Sequence, residues 1–367
     1  MSAITGIRAY RQWQPFVEGT YATSAGSAAG FDAVIVAIDT EQGVTGWGEM
    51  APLGSFYSEA FAAGARAGVA ELAPHLVGLD AGQPRAVAAR LAAAMRGQPY
   101  IKAALDMACW DAAAREQGRP LCEALGGCLG GAVELYRSIP PVPPGEAAAA
   151  ARRHAAAGYR RLQVKVGGDV RADAERLLAV GEAAGRGVQL VADANGGWSS
   201  ATAIRFVRAA GDADYALEQP CRSLEECAAV RARCPVPVLL DESILSLHAL
   251  LAAWRAGAAD GVTIKLSRVG GVTPAVTIRD VAAELGLPVT IEDTGGASID
   301  TAAMVHLSLS TPPELRGPTV DFNAWVTADN ATGVPVPVDG RLAAPSGPGL
   351  GVAVLAERLG EPFFRAP

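Results

Sequence analysis

From about Ala132 onward the chain alternates short segments of aliphatic and β-branched residues with longer, alanine-rich amphipathic ones, and no other feature constrains the fold as tightly. Strands are expected at 133–138, 162–166, 188–194, 215–218, 236–242, 261–266, 288–293 and 318–322. Eight strands with helical stretches between them point to a closed β/α barrel. Residues 1 to about 130 read differently. Two strands at 34–39 and 44–49, joined by a turn at 40–43, precede helices near 58–72 and 101–117, which makes an α+β unit ahead of the barrel. After the eighth strand the Pro/Gly-rich stretch at 345–351 has no barrel unit left to make, and residues 326–367 are expected to return to the first unit.

A chain of 367 residues suits one barrel with a smaller attached domain. Its mean hydropathy of +0.21 owes much to alanine, and no uninterrupted apolar run of about 20 residues is present, so a soluble protein is expected. The first 16 residues hold arginines, a glutamine and a tryptophan where a secretory signal needs an apolar stretch, so the expected location is cytoplasmic. Six cysteines without a CxxC pair read as reduced thiols. The net charge of −7, with no basic cluster, argues against a nucleic-acid surface.

Three expected strand ends break apolar runs with an acid: Asp193 in Leu190-Val-Ala-Asp, Glu218 in Tyr215-Ala-Leu-Glu and Asp241 in Val238-Leu-Leu-Asp. These are the C-terminal ends of the third, fourth and fifth strands, where barrel enzymes place catalytic groups. Three carboxylates on neighbouring strands repel one another unless a hard cation sits between them, and Mg²⁺ suits all-oxygen ligation with positions open for substrate. The plainer alternative is that each acid caps the following helix or pairs with an arginine. Asn195, two residues past Asp193, shares its direction if the strand continues, to support the metal or a substrate oxygen; an Asx-turn is the other option.

Two lysines end strands in the same way, Lys165 in Leu162-Gln-Val-Lys and Lys265 in Val262-Thr-Ile-Lys. The second and sixth strands of an eight-stranded barrel lie across from each other, so the two amines approach one carbon from opposite faces. Burial near a cation lowers a lysine pKa toward the range of a general base. The alternative is a salt bridge from each lysine to the acids. No histidine pair with zinc-ligand spacing occurs among His75, His154, His248 and His306.

Together, Lys165, Asp193, Glu218, Asp241 and Lys265 resemble the catalytic set of the mandelate racemase and muconate lactonizing branch of the enolase superfamily, in its two-lysine subgroup. Trp47-Gly-Glu, Ala104-Leu-Asp-Met-Ala-Cys-Trp-Asp, Glu218-Gln-Pro, Asp241-Glu-Ser and Gly347-Pro-Gly-Leu-Gly match as well, so the similarity covers essentially the whole chain. It implies an α/β fold: a modified TIM barrel, (β/α)7β, over residues 131–325, an N-terminal α+β capping domain over 1–130, and a C-terminal segment, 326–367, that returns to it. It also implies Mg²⁺ or Mn²⁺ held by the three acids, the two lysines as acid and base, and a symmetric homo-oligomer. One departure stands out: the family's Lys-x-Lys motif has Gln163 at its first lysine, so the positive field on Lys165 must come from elsewhere.

The chemistry implied is removal of the proton next to a substrate carboxylate, with the metal stabilising the enediolate more than the ground state. Asp293 and Thr294 at the seventh strand end, Trp325 after the eighth, and Tyr57 from the first domain are expected around a small carboxylate substrate. Aromatic faces beside a carboxylate suit a cationic nitrogen, although Trp325 and Tyr57 in simple packing is the alternative. The first expectation is racemisation or epimerisation of a proline-like amino acid or betaine. The Thr294-Gly-Gly segment resembles dehydratases of cis-3-hydroxyproline, which makes β-elimination the runner-up. A non-catalytic binding barrel is the rival from another class.

Overall fold

The structure, a computed structural model, describes residues 2–24 and 26–367. The first unit is an antiparallel sheet backed by helices: β1 (Ile4–Pro15), β2 (Gly30–Thr40), β3 (Thr45–Met50), α1 (Ala62–Leu72), α2 (Pro84–Ala94) and α3 (Pro99–Glu116). β2 is buried on both faces, which explains its nearly continuous apolar sequence. Val34, Val36 and Ile38 pack with Leu72 and Leu105 under the helices, while Phe31, Ala33, Ile35 and Ala37 on the opposite face join the core that also holds the barrel. Gly46 and Gly48 let α3 lie directly on β3, since a Cβ at either would stand 2.2 and 2.0 Å from the carbonyl oxygens of Ala108 and Ala104. Residues 58–61, expected to be helical, form an open loop instead, with the helix starting at Ala62.

The barrel sequence splits at its start. β4 (Ala132–Glu134) leaves the ring, and β5 (Tyr136–Ile139) enters it. There follow α4 (Pro144–Ala156), β6 (Arg161–Lys165), α5 (Val170–Ala184), β7 (Gln189–Asp193), α6 (Ser200–Ala210), β8 (Ala216–Glu218), α7 (Leu224–Arg231), β9 (Val238–Leu240), α8 (Leu247–Arg255), β10 (Gly261–Lys265), α9 (Leu266–Val269), α10 (Val272–Glu284), β11 (Val289–Glu292) and α11 (Ser298–Leu309). β5 to β11 form one parallel sheet in sequential order.

The expected eighth strand at 318–322 is reduced to one bridge, Leu135 with Thr319, preceded by another at Val289 with Arg316. Pro312, Pro313 and Pro318 supply no N–H to a ladder, and Thr319 turns its hydroxyl onto the Ile291 carbonyl at 2.6 Å. Backbone bonds from Tyr136 N to Thr319 O and from Gly317 N to Val289 O still carry the segment across the gap between β11 and β5. The result is a curled seven-stranded form of the modified TIM barrel.

The tail comes back across the molecule. β12 (Arg341–Ala343) pairs with β4, and β13 (Phe364–Ala366) adds to β1 at Ile7–Ala9, giving the first sheet the order β13-β1-β2-β3. Among the described residues no helix is long and apolar enough to cross a membrane, and all six cysteines are free thiols.

Candidate active site

The C-terminal rim of the parallel sheet collects the polar strand ends. Asp193 and Glu218 are direct register neighbours on β7 and β8, Asp193 pairs with Lys165 on β6, and Asp241 follows β9. None of the three acids caps a helix: α6, α7 and α8 begin at Ser199, Ser223 and Ser246, whose hydroxyls accept from Thr202 N, Glu226 N and Ala249 N. The acids stand on the rim with no helix to cap, nearly wholly buried at 1, 4 and 1% exposure.

Both lysines turn inward and line one cavity of about 30 Å³. β6 and β10 are separated by three strands on one side and by β11, the bridging segment and β5 on the other, so the amines face each other across the ring. Lys165 Nζ lies 2.5 Å from Asp193 Oδ2. Lys265 Nζ lies 2.9 Å from both Asp241 Oδ2 and Glu292 Oε1, and donates to the Tyr57 hydroxyl at 2.6 Å. The salt-bridge alternative for the lysines is therefore what the side chains adopt. Burial alone would lower both amine pKa values, but the charge of Asp193 pushes Lys165 up, and Asp241 with Glu292 pushes Lys265 well up.

The acids divide by partner. Burial would raise Asp241, but Arg268, at 2.5 Å, and Lys265 hold it below the usual carboxylate range. Among the described residues Glu218 hydrogen-bonds only to neutral groups, the Gln163 amide at 2.8 Å and the Thr263 hydroxyl at 3.3 Å. Burial and then the charges of Asp193, Asp241 and Glu292 push its pKa well up. A buried carboxylate pressed by three others, with oxygen donors on all three rim acids, is what a divalent cation relieves, so the residues fit Mg²⁺ in kind. As the side chains stand, no three His, Cys, Asp or Glu groups among the described residues converge closely enough to hold an ion, Asp193 and Asp241 being turned onto the cationic side chains.

The remaining expected residues take varied positions. Gln163 points inward and serves Glu218, and does line the cavity. Asn195 does not extend its strand, which ends at Asp193. At φ 45° it is the third residue of an Asx turn led by Asp193, whose Oδ1 accepts from the Asn195 backbone N–H at 2.9 Å, and its amide donates to both Asp193 and Glu242, away from the cavity lining. Asp293 reaches the cavity wall, but its carboxylate is spent on Ser267 N, Ser267 Oγ and Thr294 N. Thr294 lines the cavity while its hydroxyl donates to Ala51 O in the first unit, 3.1 Å away. Trp325 walls the cavity with Tyr21, ring centroids 5.3 Å apart. Tyr57 donates to Asp241 at 3.2 Å, accepts from Lys265 and Arg268, and lies under both cations.

Glu292, Tyr136, Tyr21, Arg268 and Glu242 belong to the site and were not expected there. Strand parity signals the first: Glu292 is the register partner of Lys265 and points inward with it. Tyr136 donates to Glu292 at 2.5 Å. Glu242, whose pKa burial and the neighbouring acids push up to about 7, lies within the Asp241-Glu-Ser motif. Tyr21 comes from a two-residue strand of the first unit, Tyr21–Ala22, paired with Ser27–Ala28, which carried no signal.

Residues 10–126 match the mandelate racemase/muconate lactonizing enzyme N-terminal domain, and residues 146–358 match the enolase C-terminal domain-like family. A cis-3-hydroxy-L-proline dehydratase from Roseibium aggregatum is 41% identical over 99% of each chain, and an N-succinyl-L-Arg/Lys racemase from Bacillus cereus is 27% identical over 86% of this chain and 87% of its own. A crystal structure of an enolase-superfamily member from Roseovarius nubinhibens, complexed with magnesium, superposes with a TM-score of 0.94 at 37% identity, covering all of both chains. Full-length similarity of this kind, with both domain models matched, places the chain in the mandelate racemase/muconate lactonizing enzyme family of the enolase superfamily.

Proposed function

We propose that the protein is a Mg²⁺-dependent dehydratase that removes the α-proton of a 3-hydroxylated, proline-like carboxylate and expels its hydroxyl. The observation that carries this reading is the pair of lysines on opposite sides of one small cavity, in a chain 41% identical along its length to a cis-3-hydroxy-L-proline dehydratase. Asp193, Glu218 and Asp241 would hold the ion, which supplies Lewis-acid stabilisation of the charge that develops on the substrate carboxylate.

When a ring hydroxyl is cis to the carboxylate, it lies on the face opposite the α-hydrogen. Elimination then calls for a base on one face and an acid on the other, and Lys165 and Lys265 occupy those faces. One amine takes the α-proton; the C3–O bond breaks as the opposite ammonium gives the hydroxyl a proton; water leaves, and the enamine tautomerises to a cyclic imine. The general acid–base part is worth about 10²–10⁴ in rate. Tyr57 positions Lys265, and Trp325 with Tyr21 closes the cavity around a compact ring.

Epimerisation of a proline-like amino acid or betaine, the first expectation from the sequence, becomes the second reading. The same two-faced lysine pair favours it, and the racemase relative supports it at lower identity. Incubation of candidate prolines in D₂O separates the two. Loss of the hydroxyl with formation of a cyclic imine supports dehydration; α-deuterium in an otherwise intact skeleton supports epimerisation and counts against the dehydratase. No turnover or exchange with any of them, with Mg²⁺ bound, would sink both.

A further inference from the structure

Beneath the lysines and acids, the inward face of β6 carries a second cation. Arg161, Gln163 and Lys165 alternate along the strand and so share one side, which places Arg161 two steps below Lys165 and one below Gln163. The positive charge absent from position 163 stands at 161. Arg161 Nε is buried and has no hydrogen-bond partner among the described residues. A buried guanidinium N–H without an acceptor is costly and rare enough to require an explanation. Glu218 and Glu134 reach it only through their charge.

Between Arg161 and Glu218 lies a cavity of about 20 Å³ that both residues line, together with Gln163, Thr263, Thr290 and Glu292. One water requires about 10–15 Å³ of this kind of space and two to four polar partners. The space suffices for one water, and Arg161 and Glu218 both stand on its wall. Glu218 offers acceptor oxygens whose direct partners are an amide and a rather distant hydroxyl, and Arg161 Nε offers the unused donor.

We infer that Arg161 is a positioning residue for Glu218, acting through one buried water that accepts from Arg161 Nε and donates to the Glu218 carboxylate. Gln163 holds Glu218 from the side, and the Arg161–water pair holds it from below. This two-point support aims the middle acid at its neighbours on β7 and β9 and brings a permanent positive charge under a rim of carboxylates. The inference rests on the metal-site reading given above for Glu218.

The test compares wild type, Arg161→Lys and Arg161→Met. A high-resolution crystal structure of the wild-type protein should show the water between Arg161 and Glu218. Calorimetric titration with Mg²⁺ should show binding to Arg161→Met weakened about tenfold or more, as for loss of other groups that orient metal ligands. Arg161→Lys, which keeps a charged donor, should recover most of that loss. A cavity without the water, or Mg²⁺ affinity of Arg161→Met equal to or tighter than wild type, would overturn the inference while leaving the metal site in place. A wild-type protein that binds no Mg²⁺ would overturn the metal-site reading and the inference with it. Should Arg161→Met fail to fold, the wild-type density and the lysine variant still decide.

Discussion

Replacing Lys165 with methionine tests the central ion pair most directly. The stem is kept and the ammonium is lost, so the change is electrostatic rather than a cavity. Asp193, 1% exposed, then keeps only the backbone N–H and amide of Asn195, at 2.9 and 3.0 Å. Removing one partner of a buried pair costs about 3–5 kcal/mol, and the two remaining donors place this case at about 3 kcal/mol. At roughly 2 °C per kcal/mol for a chain of this size, Tm should fall by about 6 °C. The double variant Lys165→Met/Asp193→Asn removes the stranded charge as well and should regain most of that loss, because an intact buried pair contributes little net stability. Scanning calorimetry at neutral pH without added metal measures both. A loss below about 1 kcal/mol, or a double variant no more stable than the single, would show that the pair is not buried as a unit and refute the reasoning.

Lys265→Met should lower kcat by about 10²–10⁴ in the proposed elimination, measured by imine formation, with Lys165→Met as severe. Mg²⁺ at a hundredfold excess over its Kd should stabilise the wild type by about 2.7 kcal/mol, and Glu218→Gln should abolish most of that shift in a thermal melt. Tyr57→Phe removes the hydroxyl that touches Lys265, Arg268 and Asp241 and should reduce kcat/KM with little change in Tm; unchanged kinetics would assign Tyr57 to packing alone. His306 accepts from Cys122 N at Nδ1 and so donates from Nε2 to Leu350 O, which fixes it as neutral, and burial lowers its pKa to about 4 from 6.5. Protons then bind the unfolded chain more readily between those values, so stability should fall as pH drops from 6.5 toward 4, by up to about 3 kcal/mol from this group. His306→Gln should flatten that slope in urea titrations; an unchanged slope would place the proton elsewhere.

The five rim residues were legible because each is a lone charged side chain closing an apolar run, and an apolar run cannot hold a charge without a reason. Neighbouring residues were harder. Asp293 drew attention from Glu292, although only parity with Lys265 decides which of two adjacent acids faces inward. For Asn195 a continued strand and an Asx-turn were both open; the strand stops at Asp193, and the Asp193 carboxylate closes the turn that follows. The eighth strand looked regular in sequence because Val320 and Phe322 are buried there, but its prolines leave it held by isolated bridges. β1 passed unread: Gln12 and Gln14 interrupt its apolar pattern, yet they are buried, and Gln14 donates to Glu49, itself an acceptor at the start of α11.

The pairing of Phe364–Ala366 with Ile7–Ala9 has a bearing on how the chain matures. A ribosome delivers residues 4–15 long before 364–366, so through nearly all of synthesis the outer margin of that early sheet keeps its hydrogen-bonding groups unpaired. Closure over such a sequence separation is slow, and an open margin invites strands from other chains. A trimmed or stalled product lacking those last few residues would thus be prone to self-association, with the catalytic ring intact.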